Sequence, residues 1–148
     1  MNRMTITLVA VGLLIATRST MAADLITEDE ARLPSAERHA LNTRAITRGP
    51  GINLISPHSG GESVQSPFEL RVEFVPRGTA KIDPETVKVL YDKNPPVNLI
   101  DRVRPGISEK GIVLSGAQVP AGKHSIIVSV ADNEGRSTTR AFELTVAK

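Results

Sequence analysis

From His124 to Val146 the chain reads HSIIVSVADNEGRSTTRAFELTV, two runs of alternating apolar and polar residues around a polar turn. His124, Ile126, Val128 and Val130 fall on one face, and Phe142, Leu144 and Val146 do the same beyond Asp132-Asn133-Glu134-Gly135. A period of two on both sides of a turn predicts a β-hairpin with one buried face. The same alternation recurs upstream. Phe68, Leu70, Val72 and Phe74 interleave with Glu69, Arg71 and Glu73, and Val87, Val89 and Tyr91 form a further strand. Shorter strands are predicted at Ile52–Leu54 and Ile112–Leu114, with turns at Ser59-Gly60-Gly61-Glu62 and Val119-Pro120-Ala121-Gly122. Six or seven short strands within the last hundred residues predict an all-β, antiparallel sandwich of about seven strands.

Asp92–Gly111 fits this pattern less simply. After Asn94-Pro95-Pro96 it carries Val97-Asn98-Leu99-Ile100-Asp101-Arg102-Val103, then Pro105-Gly106. An edge strand from Val97 and a helical turn pairing Leu99 with Val103 both suit these residues.

Before Gly49-Pro50-Gly51 the pattern changes. Residues 24–50 form a polar arm, in which Thr27-Glu28-Asp29-Glu30 is a capping box and Pro34 a stop. A second short helix is possible over Ser35–Thr43, with Ala36, Ala40 and Leu41 on one face. Helices this short are marginal alone, so the arm is expected to be a mobile spacer, with a docking arm as the alternative. The domain expected to fold alone is residues 51–148.

Residues 1–23 have the form of a secretion signal. Arg3 supplies the basic start, Ile6–Ala16 is apolar apart from Thr7, and Thr20-Met21-Ala22-Ala23 offers a small-x-small exit. The apolar run falls short of the roughly 20 residues that span a bilayer. Cleavage after Ala22 or Ala23, a periplasmic or secreted location and no transmembrane segment in the mature chain are therefore expected. The chain has no Cys, which excludes disulfides and a lipid-modified cysteine. The sequence pI of about 9.2 owes much to the signal. Removing Arg3 and Arg18 leaves 16 Lys and Arg against 16 Asp and Glu, so the mature chain is formally neutral. A nucleic-acid partner is not expected, since it needs a basic stripe.

Several segments together resemble bacterial immunoglobulin-like (Big-type) domains of exported proteins. They are Ser56-Pro57 with Gly60-Gly61 and Ser66-Pro67, then Ile82-Asp83-Pro84-Glu85-Thr86-Val87, then Val119-Pro120-Ala121-Gly122-Lys123-His124, then Val130–Ser137. Similar domains show Asp-Pro-x-Thr-Val leading into a middle strand, Pro-x-Gly-x-Tyr into the penultimate one, and Asp-x-x-Gly-x-Ser in the final turn. The resemblance covers Gly51–Lys148 and implies an immunoglobulin-like sandwich. One departure is His124, which stands where the family usually has an aromatic that locks a loop corner. Such sandwiches serve many functions, so the fold does not choose one.

Candidate chemistry is sparse. His39, His58 and His124 share no metal-ligand spacing, and Met1, Met4 and Met21 all lie in the signal, so no metal or other cofactor is expected. Asp132, Asn133 and Glu134 suit a tight Asx turn better than a calcium site. No Ser sits in a Gly-x-Ser-x-Gly elbow. Three Phe and one Tyr leave little aromatic surface for a sugar-cleaving cleft. The reading is a non-enzymatic exported binding module acting on an envelope protein or glycan. The alternative is an accessory or regulatory subunit of an envelope enzyme. If a partner surface exists, Val97, Leu99, Arg102, Arg104 and Lys110 are its expected residues, because the 92–111 connection exceeds what a hairpin needs.

Overall fold

A computed structural model describes residues 23–36, 48–58 and 62–148. The expected signal core, most of the second arm helix, His39 and the Ser59–Gly61 turn lie outside these residues.

The six long strands are those that alternation predicts, several of them extended. They are β2 (Gly51–Ser56), β4 (Phe68–Val75), β5 (Ile82–Tyr91), β8 (Gly111–Gln118), β9 (Gly122–Asp132) and β10 (Ser137–Val146). Four two-residue strands join them: β1 (Ala23–Asp24), β3 (Ser63–Val64), β6 (Val97–Asn98) and β7 (Ile107–Ser108). The described residues thus hold ten strands rather than about seven. The extra four are too short for alternation to register.

One sheet runs β1-β8-β4-β2, with β7 also on β8, and the other runs β3-β10-β9-β5-β6. The chain changes sheet at its start: β2 pairs antiparallel with β4, whereas β3 pairs parallel with β10. With β9 between β10 and β5, this is an immunoglobulin-like sandwich. Val72, Phe74, Ile112 and Leu114 from the first sheet face Val89, Tyr91, Ile126, Val128, Phe142 and Leu144 from the second in one core. The inward positions are those that alternation assigned, because a strand with one dry face can place only every second side chain there.

The hairpin turn is built on Asp132. Its Oδ1 accepts the Glu134 and Arg136 amides at 3.0 and 2.9 Å, its Oδ2 accepts Arg136 Nε at 2.8 Å, and Gly135 takes φ 75°. Burial opposes charge on this carboxyl, but these donors outweigh it and hold the pKa below its usual value. Its oxygens are committed to the turn.

The Asp92–Gly111 stretch adopts both of its possible forms in succession. β6 starts at Val97, and a helical turn α2 (Ile100–Val103) follows, with Leu99 and Val103 fully buried. A 3₁₀ turn at Arg104–Gly106 then crosses the edge of β8 so closely that a Cβ on Gly106 would lie 2.0 Å from the Val113 carbonyl oxygen. Covering an edge in this way blocks pairing with another chain there.

The arm departs most from expectation. β1 pairs with Ala117 and Gln118 of β8, and Leu25 and Ile26 enter the core at 0 and 2 % exposure. Helix α1 (Glu28–Arg32) follows with the predicted capping box in place: Thr27 Oγ1 accepts the Glu30 amide and the Glu30 carboxylate accepts the Thr27 amide. Residues 23–36 are therefore built onto the sandwich. The cause is the Leu25-Ile26 pair, which fills space between the sheets. Two adjacent apolar residues show no period and leave little trace in the sequence.

Candidate functional site

Two polar clusters converge where the N-terminal segment meets the ends of β5 and β9. The first is Glu30 with Arg102. Capping fixes Glu30 on α1, and α2 projects Arg102 toward it. Arg102 donates to both Glu30 oxygens at 2.7 Å and to the Leu25 carbonyl at 2.9 Å. The side chains are 18 and 31 % exposed, so water reaches them only in part. The Arg102 hydrogen bonds hold the Glu30 carboxyl at a pKa of about 2, and the same contact raises that of the guanidinium.

The second cluster is Lys93, Tyr91 and His124. Lys93 lies two residues beyond the end of β5 and is nearly buried. Its ammonium donates to the carbonyls of Ala31 and Leu33 at 2.9 Å each, satisfying the end of α1, and lies 5.2 Å from the Tyr91 ring centroid. Backbone contacts reinforce the dock: Ser35 bridges to Lys93, and the Asn94 amide donates to the Pro34 carbonyl at 3.0 Å. His124 is 4 % exposed, with Nε2 2.8 Å from the Pro120 carbonyl and Nδ1 2.8 Å from the Tyr91 hydroxyl. A carbonyl only accepts, so Nε2 carries the proton, Nδ1 accepts, and Tyr91 donates. Burial lowers the His124 pKa, with the nearby Lys93 charge acting in the same direction. Burial also raises that of Tyr91, helped by the Glu30 charge. His124 thus joins β9 to β5 through Tyr91 and to the loop before β9 through Pro120.

Beside this corner a cleft of about 800 Å³ runs along β10. Ser35 and Ala36 form one wall, Pro57 and the exposed His58 another, and Lys123, Ser125, Ala141, Glu143 and Thr145 line the sheet side. Arg140 closes one end, donating to the Ile52 carbonyl at 2.7 Å with its guanidinium 5.4 Å from the Phe142 ring centre. A smaller cavity of about 370 Å³ lies across the molecule between Pro84, Val87, Ile100 and Ile107. Among the described residues no three His, Asp or Glu side chains gather as a metal-binding group. No described helix is long and apolar enough to cross a membrane.

The five residues expected at a partner surface do not come together. Leu99 is fully buried and Val97 is half-buried against the core. Arg102 is spent on Glu30 within the chain. Arg104 is exposed and pairs with Asp101 at 3.3 Å, while Lys110 sits in the β7–β8 turn, where its carbonyl accepts the Phe74 amide. The partner that the basic 92–111 stretch has in this structure is the chain's own N-terminal segment. Sequence reasoning identified Glu30 as a capping residue and Arg102 as a notable cation. It missed the pairing, because nothing local joins residues 72 positions apart. It also missed the Lys93 and Tyr91 roles.

The fold defines an immunoglobulin-like β-sandwich protein with a docked N-terminal segment. No protein-family model matches the chain, and no curated protein matches it in sequence.

Proposed function

We propose that the chain is a non-enzymatic, exported binding module of the cell envelope, acting by contact with an envelope protein or glycan. The observation that carries this reading is the cleft along β10. It combines cations (Lys123, Arg140), carboxylates (Glu62, Asp92, Glu143) and small side chains (Ser125, Ala141) on one open face. Such a surface suits polar recognition. Catalysis needs an acid, base or nucleophile that can reach a substrate. The buried imidazole of His124 beside the cleft commits both nitrogens to Tyr91 and Pro120, so it does not serve as a base there. The secretion-signal pattern at residues 1–23 supports the location.

The test uses a photo-crosslinking residue placed in living cells at Lys123 or, as a control, at Arg77, exposed on the β4–β5 connection at the opposite end of the sandwich. A discrete adduct at Lys123 but not at Arg77 is expected. Lys123→Glu should weaken co-sedimentation with purified cell-wall sacculi or formation of that adduct, without changing the melting temperature. Adducts at both positions or at neither, with no sedimentation, would overturn the reading.

A further inference from the structure

Lys93, Tyr91 and His124 form a chain of contacts from the tail of α1 to the strand behind the cleft. We propose that this chain is an acid-sensitive latch, in which protonation of His124 releases Ala31–Ala36 and opens the cleft wall formed by Ser35 and Ala36.

The geometry sets the consequence of adding a proton. The only acceptor on the ring is Nδ1, already 2.8 Å from the Tyr91 hydroxyl, since Nε2 donates to Pro120. A proton on Nδ1 removes that acceptor, and Tyr91 must turn its own hydrogen elsewhere. The ring also becomes a cation in a buried corner that already holds the Lys93 ammonium above the same tyrosine. The two hydrogen-bond acceptors of Lys93 are the Ala31 and Leu33 carbonyls, which hold it close. Two buried cations repel strongly where water is scarce. The chain relieves the strain most cheaply by letting Lys93 swing out to solvent through the cleft it lines, leaving the two carbonyls of α1 unpaired.

Of the charges around the ring, that of Lys93 opposes its protonation. The turn after β5 brings half-buried Asp92 beside Lys93, β9 brings Lys123, and β10 brings Glu143, with Lys123 and Glu143 exposed at the cleft mouth. From α1, Glu30 faces Tyr91, but its charge is taken up by Arg102. The Pro120 carbonyl, which accepts from Nε2, favours the protonated ring, but burial outweighs it. Burial already disfavours the protonated ring relative to the usual 6.5, so the latch is closed at neutral pH and strains as the medium acidifies. The release stays local. Glu30 remains ionised to about pH 2, so Arg102 keeps Leu25 and the start of α1 in place.

Amide hydrogen exchange of the exported protein, corrected for intrinsic pH dependence, tests this between about pH 7.5 and pH 4.5, with the His124 ring titrated by NMR in the same samples. The Leu33 amide bonds to Glu30 and the Asn94 amide to Pro34. Protection at both should fall about tenfold or more with the midpoint of His124, while Ile26, bonded to Gln118, stays protected. His124→Gln keeps one acceptor and one donor but does not titrate, so its protection should be flat with pH. Constant protection in the natural chain, or a midpoint more than about one pH unit from that of His124, would overturn the latch without need of the variant. So would an undiminished pH response in His124→Gln.

Discussion

Replacing Arg102 by Met should destabilise the protein by about 2 kcal/mol at neutral pH, and the loss should fade in acid. The substitution keeps much of the aliphatic stem and removes three hydrogen bonds: two of 2.7 Å to Glu30 and one of 2.9 Å to the Leu25 carbonyl. Depression of the Glu30 carboxyl from 4.5 to about 2 corresponds to at most about 3.4 kcal/mol of preference for the charged, folded form. Water reaches both side chains in part, which cuts that figure to roughly 2 kcal/mol. The sign follows from linkage. A carboxylate with a lowered folded pKa stabilises fully above its unfolded value, here 4.5, and loses that contribution as pH falls toward 2. Urea unfolding followed by far-ultraviolet circular dichroism should show a lower midpoint with an unchanged slope for Arg102→Met at about pH 7. The deficit should shrink to about 1 kcal/mol or less near pH 2.5, the remainder being the bond to the Leu25 carbonyl, which does not titrate. The Arg104–Asp101 pair, with side chains 67 and 86 % exposed, is the control. Arg104→Ala should cost less than about 0.5 kcal/mol at either pH. An Arg102→Met midpoint equal to that of the natural chain at neutral pH would refute the claim that this pair anchors the N-terminal segment. So would a deficit that persists undiminished in acid.

Leu25→Ala should cost about 2–5 kcal/mol by chemical denaturation, since the side chain is fully buried; a change below about 0.5 kcal/mol would mean that the segment does not contribute to the core. Phe74→Ala should cost about 3–5 kcal/mol, whereas Glu73→Ala, exposed on the opposite face of the same strand, should fall within about 0.5 kcal/mol. Intact-mass measurement of the exported protein should give a chain beginning at Ala23 or Asp24, either of which keeps Leu25 and Ile26 for the core; the full-length chain in the membrane fraction would contradict the export reading.

Alternation along Phe68–Phe74, Val87–Tyr91, His124–Val130 and Phe142–Val146 was enough to assign the class of fold, the hairpin and the buried faces. These properties are local: a strand with one dry side writes its period into the chain. The capping box at Thr27 and the turn at Asp132 were legible for the same reason, since each is closed by residues within four positions. The tertiary structure alone decided the rest. It drew Leu25 and Ile26 between the sheets, paired Glu30 with Arg102, and placed Lys93 at the end of α1. It turned His124 into a neutral hydrogen-bonded lock on Tyr91. Each of these contacts joins residues about 30 or more positions apart, and their energy comes from burial and charge complementarity that exist only once both sheets are assembled.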